Sequence, residues 1–134
     1  MSIPTGTYVI YNRVLSPLGE KLAITFNGSN QGATVKALAN GDASQQWIIG
    51  GPIGDAQPIS PASPSGLQAG WGDGVVVLPA GNYVWSIKSS SDGYTIQDGG
   101  KTQNWNLQSA TVASKVAISA DNGNEKYRWI FQRV

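Results

Sequence analysis

The sequence predicts an all-β fold, a β-trefoil built from three pseudo-repeats of about four strands each. Three observations carry that reading. Short strand-like runs alternate with Gly, Asn, Asp, Ser and Pro clusters along the whole chain. Three segments end alike, "QQWII", "NYVWSI" and "KYRWIF", which share Gln or Tyr, any residue, Trp, any residue, then Ile or Phe. Their tryptophans, Trp47, Trp85 and Trp129, lie 38 and 44 residues apart. A β-branched run precedes each of them, at 34–35, 75–77 and 115–118. One such repeat cannot bury its apolar face alone, so three must close together, and closure removes exposed sheet edges.

In the first repeat, "GTYVIYN" opens from Gly6, followed by "KLAITF", "TVKALA" and "QWIIG". The second opens weakly on "QPISP" from Gln57, then shows "VVVL" and "YVWSIK". Alternation in that last run puts Tyr83, Trp85 and Ile87 on one face and Val84, Ser86 and Lys88 on the other. The third opens on "GYTIQD" from Gly93, then "WNLQ", "KVAIS" and "YRWIFQRV". One domain is expected over 1–134, with repeats at approximately 1–50, 51–89 and 90–134. Trp47, Trp85, Trp129 and the inner-strand Trp105 are expected in the core.

Composition narrows the function. Net charge is +1 and 13% of residues are charged, which leaves no electrostatic footprint for nucleic acid. No apolar run reaches the roughly 18 residues of a membrane span. Cysteine and histidine are both absent, which excludes disulfides, thiolate metal sites and a Ser-His-Asp triad. The eight acids are scattered through turns such as "NGDAS" and "SADNGNE". No enzyme, catalytic residue, metal or cofactor is therefore expected. The start "MSIPTGTYVIYNRV" lacks a basic segment followed by an apolar one, so a cytoplasmic location is expected.

Binding chemistry is expected where the repeats differ. Trp71 lies outside the repeat pattern in "LQAGWGDG", and its flanking glycines leave the ring open to a ligand. The second repeat also has the tightest last hairpin, "VVVLPAGNYVW", turning at 79–82. If Trp85 faces in, Leu78 and Val84 face out, giving apolar and aromatic surface beside the Asn82 amide. Sugars present apolar C–H faces and fixed hydroxyls, and such a surface answers both without charge or metal.

The stretches "GTYVIYNRVLSPLGEKLAITF", "GWGDGVVVLPAGNYVW", "GYTIQDGGKTQNWNLQSAT" and "RWIFQRV" resemble the ricin-B-like, R-type β-trefoil lectins of mushrooms. The closest likeness is to the cytoplasmic subgroup that binds core α1,3-fucosylated N-glycans and acts against nematodes and insects. That resemblance implies one site in the second repeat, at Trp71, Gly72, Asp73, Gly74, Leu78, Asn82, Tyr83, Val84 and Trp85. The implied ligand is GlcNAcβ1,4(Fucα1,3)GlcNAc, with Leu78 at an apolar face such as the fucose methyl. Asn82 and the backbone near Val84 bond hydroxyls or acetamido groups, and Trp85 serves both core and ligand. In the galactose-binding R-type pattern, Asp98 stands as a candidate for a further site in the third repeat, against an ordinary turn role before Gly99 and Gly100.

The competing reading is a β-trefoil protease inhibitor acting through loop 12–21, which begins at Asn12, ends at Lys21 and carries Arg13 and Pro17. A lone small-sugar site with a dissociation constant of about 1 mM contributes only about 4 kcal/mol, so a homodimer is expected for avidity. The sequon at Asn27 is expected to stay bare.

Overall fold

A computed structural model of the chain describes residues 3–134. Met1 and Ser2, where the expected domain and first repeat begin, lie outside the described residues. Twelve strands run in chain order: β1 (Gly6–Asn12), β2 (Leu22–Thr25), β3 (Thr34–Ala37), β4 (Trp47–Ile49), β5 (Ile59–Pro61) and β6 (Leu67–Gly72), then β7 (Gly74–Pro79), β8 (Ser86–Ser90), β9 (Gly93–Gln97), β10 (Asn104–Asn106), β11 (Ala117–Ser119) and β12 (Trp129–Arg133). Two 3-10 turns, Ala43–Gln45 and Glu125–Tyr127, lead into β4 and β12. Among the described residues no helix is long and apolar enough to cross a membrane.

Six strands form the barrel wall. β1 pairs with β4 and β12, β4 with β5, β9 with β8 and β12. The last gap is bridged by Gln57 and Trp85, which exchange two backbone hydrogen bonds of 2.8 Å. That single residue pair closes the ring, just ahead of β5 and β8. The remaining strands form three hairpins, β2–β3, β6–β7 and β10–β11.

The hairpins meet on a threefold pattern of hydrogen bonds. Ala33 N donates to Val75 O at 2.8 Å, Val75 N to Val116 O at 2.9 Å, and Val116 N to Ala33 O at 3.0 Å. Each hairpin is also fastened to the wall by its repeat's tryptophan. The indole N–H of Trp47 donates to Ile24 O, that of Trp85 to Ala69 O and that of Trp129 to Trp105 O, each at 2.9 Å. All three indoles are buried, as expected, with Ile10, Leu22, Ile24, Ile49, Ile59, Ile87 and Ile96 filling the space between. Burying one large apolar side chain contributes roughly 1.5–3 kcal/mol. The accompanying indole bond adds about 1 kcal/mol and satisfies each of these three indole donors.

The sequence reading missed β6. Its residues, "LQAGWG", hold two glycines, which weaken strand propensity and hide the alternation. The strand exists because β7, with its valines, supplies the pairing partner over its full length.

Candidate functional site

The β6–β7 register sorts the second hairpin's side chains onto two faces. Trp71 is opposite Val75 and Ala69 opposite Val77, and this face looks into the core. Gln68 is opposite Leu78 and Gly70 opposite Val76, and this face looks outward. The tip is Gly72, Asp73 and Gly74. Gly74 has φ of +84°, and a Cβ there would sit 2.6 Å from Val116 O, so no other residue fits. Asp73 is exposed and pairs with Lys115 on the third hairpin at 3.0 Å.

Trp71 emerges at the edge of the inner face. Its ring stacks on Trp85 with centroids 6.0 Å apart and planes 13° apart. Trp85 in turn meets Trp105 edge to face at 5.0 Å. Trp71 is 47% exposed whereas Trp85 is 3% exposed. This corrects the expectation that Trp85 offers a ring face to a ligand. Trp71 covers the face of Trp85, and the Trp85 N–H is spent on Ala69 O.

The turn before Trp85 differs from its counterparts. In the first repeat the Asp42 side chain accepts from Ser44 N and caps the 3-10 turn. In the third, Asn124 accepts from Lys126 N. The same step back from Trp85 reaches Ala80, which has no side-chain acceptor. No 3-10 turn forms there, and Asn82 adopts a left-handed φ of 67°. The consequence falls on the residue two before each tryptophan. Gln45 is buried and bonds Ala39 N and Ala37 O, and Tyr127 is buried with its hydroxyl 2.9 Å from Ser119 Oγ. Tyr83 instead is half-buried on the outer face, its ring over Gly70 and Gly81 beside Leu78.

The structure thus gathers Leu78, Tyr83 and the exposed Asn82 on the outer side of the hairpin. Trp71 contacts Trp85 across the other face, and Gly72, Asp73 and Gly74 form the tip between. Val84 is half-buried between Tyr83 and Trp85 in the chain. Three contributors escaped the sequence reading. Gln68 accepts from Gly81 N and Tyr83 N, Gly70 leaves room for the Tyr83 ring, and Val76 is half-buried on the same face. The signal available was the period-2 spacing of Gln68, Gly70 and Gly72, which becomes readable only once β6 is placed.

The other candidates resolve differently. Asp98 is a turn residue: its Oδ1 accepts from Thr102 N at 2.8 Å and Gln103 N at 3.0 Å. Burial raises its pKa, but the hydrogen bonds from Gln103, Thr102 and Gly100 together hold it below the usual carboxylate value. Loop 12–21 is folded onto itself. Asn12 is buried and bonds Lys126 O, Ser16 N donates to Glu20 O, and Lys21 lies over the Tyr11 ring. Two cavities lie away from the second hairpin. One of about 480 Å³ runs between residues 38–42 and the β1–β12 wall, and a polar one of about 220 Å³ is lined by Asn106, Ser119, Asn124 and Tyr127. Neither is lined by residues of the second hairpin. Among the described residues no group of three or more His, Cys, Asp or Glu is placed to hold a metal ion.

Comparison with known proteins places this architecture. The model of the CCL2-like family, described as CCL2 lectin-like, matches residues 6–129. No curated protein sequence matches at a significant level. Among solved structures, the ricin B-like lectin of Macrolepiota procera, solved with lactose, superposes with a TM-score of 0.78 at 22% identity, covering 100% of both chains. The Rhizoctonia solani agglutinin gives 0.75 at 19% identity, covering 100% of this chain and 99% of its own. A mosquitocidal holotoxin gives 0.81 at 16% identity over 99% of this chain, which spans only 18% of the holotoxin's length.

Proposed function

The chain belongs to the CCL2 lectin-like family, and we propose that it binds fucosylated, GlcNAc-containing glycans through the second repeat. It is a carbohydrate-binding lectin of the ricin B-like fold. The observation that carries the site is the turn at Ala80 to Val84. Only in this repeat does the residue two before the core tryptophan leave the core, so Tyr83 joins Leu78 and Asn82 at the surface. Tyr83 and Leu78 offer apolar surface for sugar C–H faces, and Asn82 offers an amide for hydroxyl or acetamido groups. Trp71, exposed at the edge of the hairpin's other face, offers a second aromatic surface near the tip.

A platform of this kind binds weakly, and linking two of them multiplies avidity by about 10² to 10⁴. We therefore propose a homodimer, cytoplasmic storage and a defensive role against glycan-bearing animals such as nematodes and insects. Titration calorimetry with the fucosylated chitobiose and with chitobiose alone tests the site on wild type, Tyr83→Ala and Trp71→Ala. The expected result is at least tenfold preference for the fucosylated sugar, with binding lost in Tyr83→Ala and weakened in Trp71→Ala. Equal affinity for both sugars moves the specificity to chitobiose. Binding of neither by folded protein overturns the site.

A further inference from the structure

We propose that Gln68 is the positioning residue of the glycan platform, a role that rests on the second-repeat reading above. Its side chain stands on the outer face of β6, opposite Leu78. Its Oε1 accepts two backbone N–H groups at 3.1 Å each, from Gly81 and from Tyr83. Two converging donors fix the amide's orientation, because an NH₂ there would face both of them. The two bonded residues flank Asn82, so one oxygen holds the segment that carries both the amide and the aromatic ring of the platform.

The other repeats show what this contact replaces. Asp42 and Asn124 cap their turns from within the turn, and the capped turn directs Gln45 and Tyr127 inward. In those turns Gln45 N and Tyr127 N also donate to the backbone carbonyls of Asp42 and Asn124. With Ala80 at the cap position no 3-10 turn forms, and the matching donor, Tyr83 N, turns to Gln68 instead. Gln68 supplies the acceptor from the strand, outside the turn. That moves the anchor to the outer face, and the loop settles on that face with it. Gly70 completes the arrangement: a Cβ there would lie 2.9 Å from Leu78 Cδ1 and 3.4 Å from two Tyr83 ring atoms. The strand therefore offers one acceptor to hold the loop and one vacancy to seat its ring. A platform whose loop is held before the ligand arrives does not lose ordering entropy on binding. Gln68 thus sets the spacing between the Asn82 amide and the Tyr83–Leu78 surface, and so which ring substituents fit.

The test compares Gln68→Met, which keeps chain length and removes the oxygen, with Gln68→Glu, which keeps an acceptor. Both are titrated with the fucosylated chitobiose and with chitobiose alone, beside Tyr83→Ala. Gln68→Met is expected to lose about tenfold in affinity, roughly the loss of one to two hydrogen bonds of ordering. It is also expected to narrow the preference between the two sugars, which a general loss of stability does not do. Gln68→Glu, whose carboxylate accepts from both N–H groups, is expected to bind closer to wild type than Gln68→Met does. Wild-type affinity in Gln68→Met with binding lost in Tyr83→Ala overturns the positioning role alone. Wild-type affinity in both overturns the site reading and the positioning role with it. Equal losses in Met and Glu variants overturn the acceptor argument. If a variant fails to fold, amide exchange in the wild-type protein decides: Gly81 and Tyr83 N–H are expected to be protected without ligand, and fast exchange at both overturns the contact.

Discussion

The second and third repeats reach their tryptophans by different routes. In the third, Asn124 caps a 3-10 turn, Tyr127 points inward and its hydroxyl meets Ser119. In the second, Ala80 cannot cap, the loop is held from β6 by Gln68, and Tyr83 lies on the outside. Both repeats keep the indole bond to the hairpin carbonyl at 2.9 Å. The scaffold is therefore indifferent to the turn as long as the tryptophan is held. A threefold fold can change one turn into a binding surface without touching its core, and the tyrosine's role follows from its turn's hydrogen bonds rather than from its place in the repeat.

Loss of the tryptophan that both routes preserve costs the most. Trp85→Ala is expected to cost about 3–5 kcal/mol in urea denaturation, the range for truncating a buried tryptophan. It deletes a buried ring, leaves the Ala69 carbonyl without its donor and removes the support under Trp71. Against a total stability of about 5–15 kcal/mol, that approaches unfolding. Trp71→Ala, which gives up only a half-exposed stack, is expected to cost about 1 kcal/mol. Equal costs for the two would mean that Trp71 is core and not surface.

The contrast between these two tryptophans marks the limit of what was legible in the sequence. Trp47, Trp85 and Trp129 were readable as core because a threefold position answers to the barrel's geometry. The hairpin strands β3, β7 and β11 were readable from β-branched runs. β6 was not, because Gly70 and Gly72 contribute no pattern. The assignment of Trp85 to both core and ligand failed because stacking by Trp71 depends on register, which no local pattern records. Gln68 reads in sequence as an unremarkable polar strand residue, since its two donors lie 13 and 15 residues away. The missing cap at Ala80 was legible in principle, by aligning it with Asp42 and Asn124.

Gly70→Ala probes the outer face of the hairpin without attacking the core. The added Cβ meets a Leu78 methyl, which can turn aside, so stability is expected to change by about 1 kcal/mol or less. The same Cβ comes to 3.4 Å from two Tyr83 ring atoms, at the edge of van der Waals contact, so the change falls on the seat of the ring while the N–H bond to Gln68 is kept. Glycan affinity measured by calorimetry is expected to fall far more than stability does. A fall in stability with unchanged affinity would mean that the platform does not use the Tyr83 ring.

The smallest expected effect lies at the hairpin tip. The Asp73–Lys115 pair joins the second and third hairpins, but both side chains are open to water, with Asp73 94% exposed. Exposed pairs contribute little once salt screens them and their ordering is counted. Asp73→Asn is therefore expected to leave the denaturation midpoint unchanged within error, at low and at high salt. Its value is in locating the ligand, because Asp73 lies beside the Trp71 edge and away from the Leu78–Tyr83 face. A glycan seated on the outer face leaves the affinity of Asp73→Asn at the wild-type level. A clear loss of affinity would draw the ligand toward the tip, and it would make Trp71, rather than Tyr83, the centre of the platform.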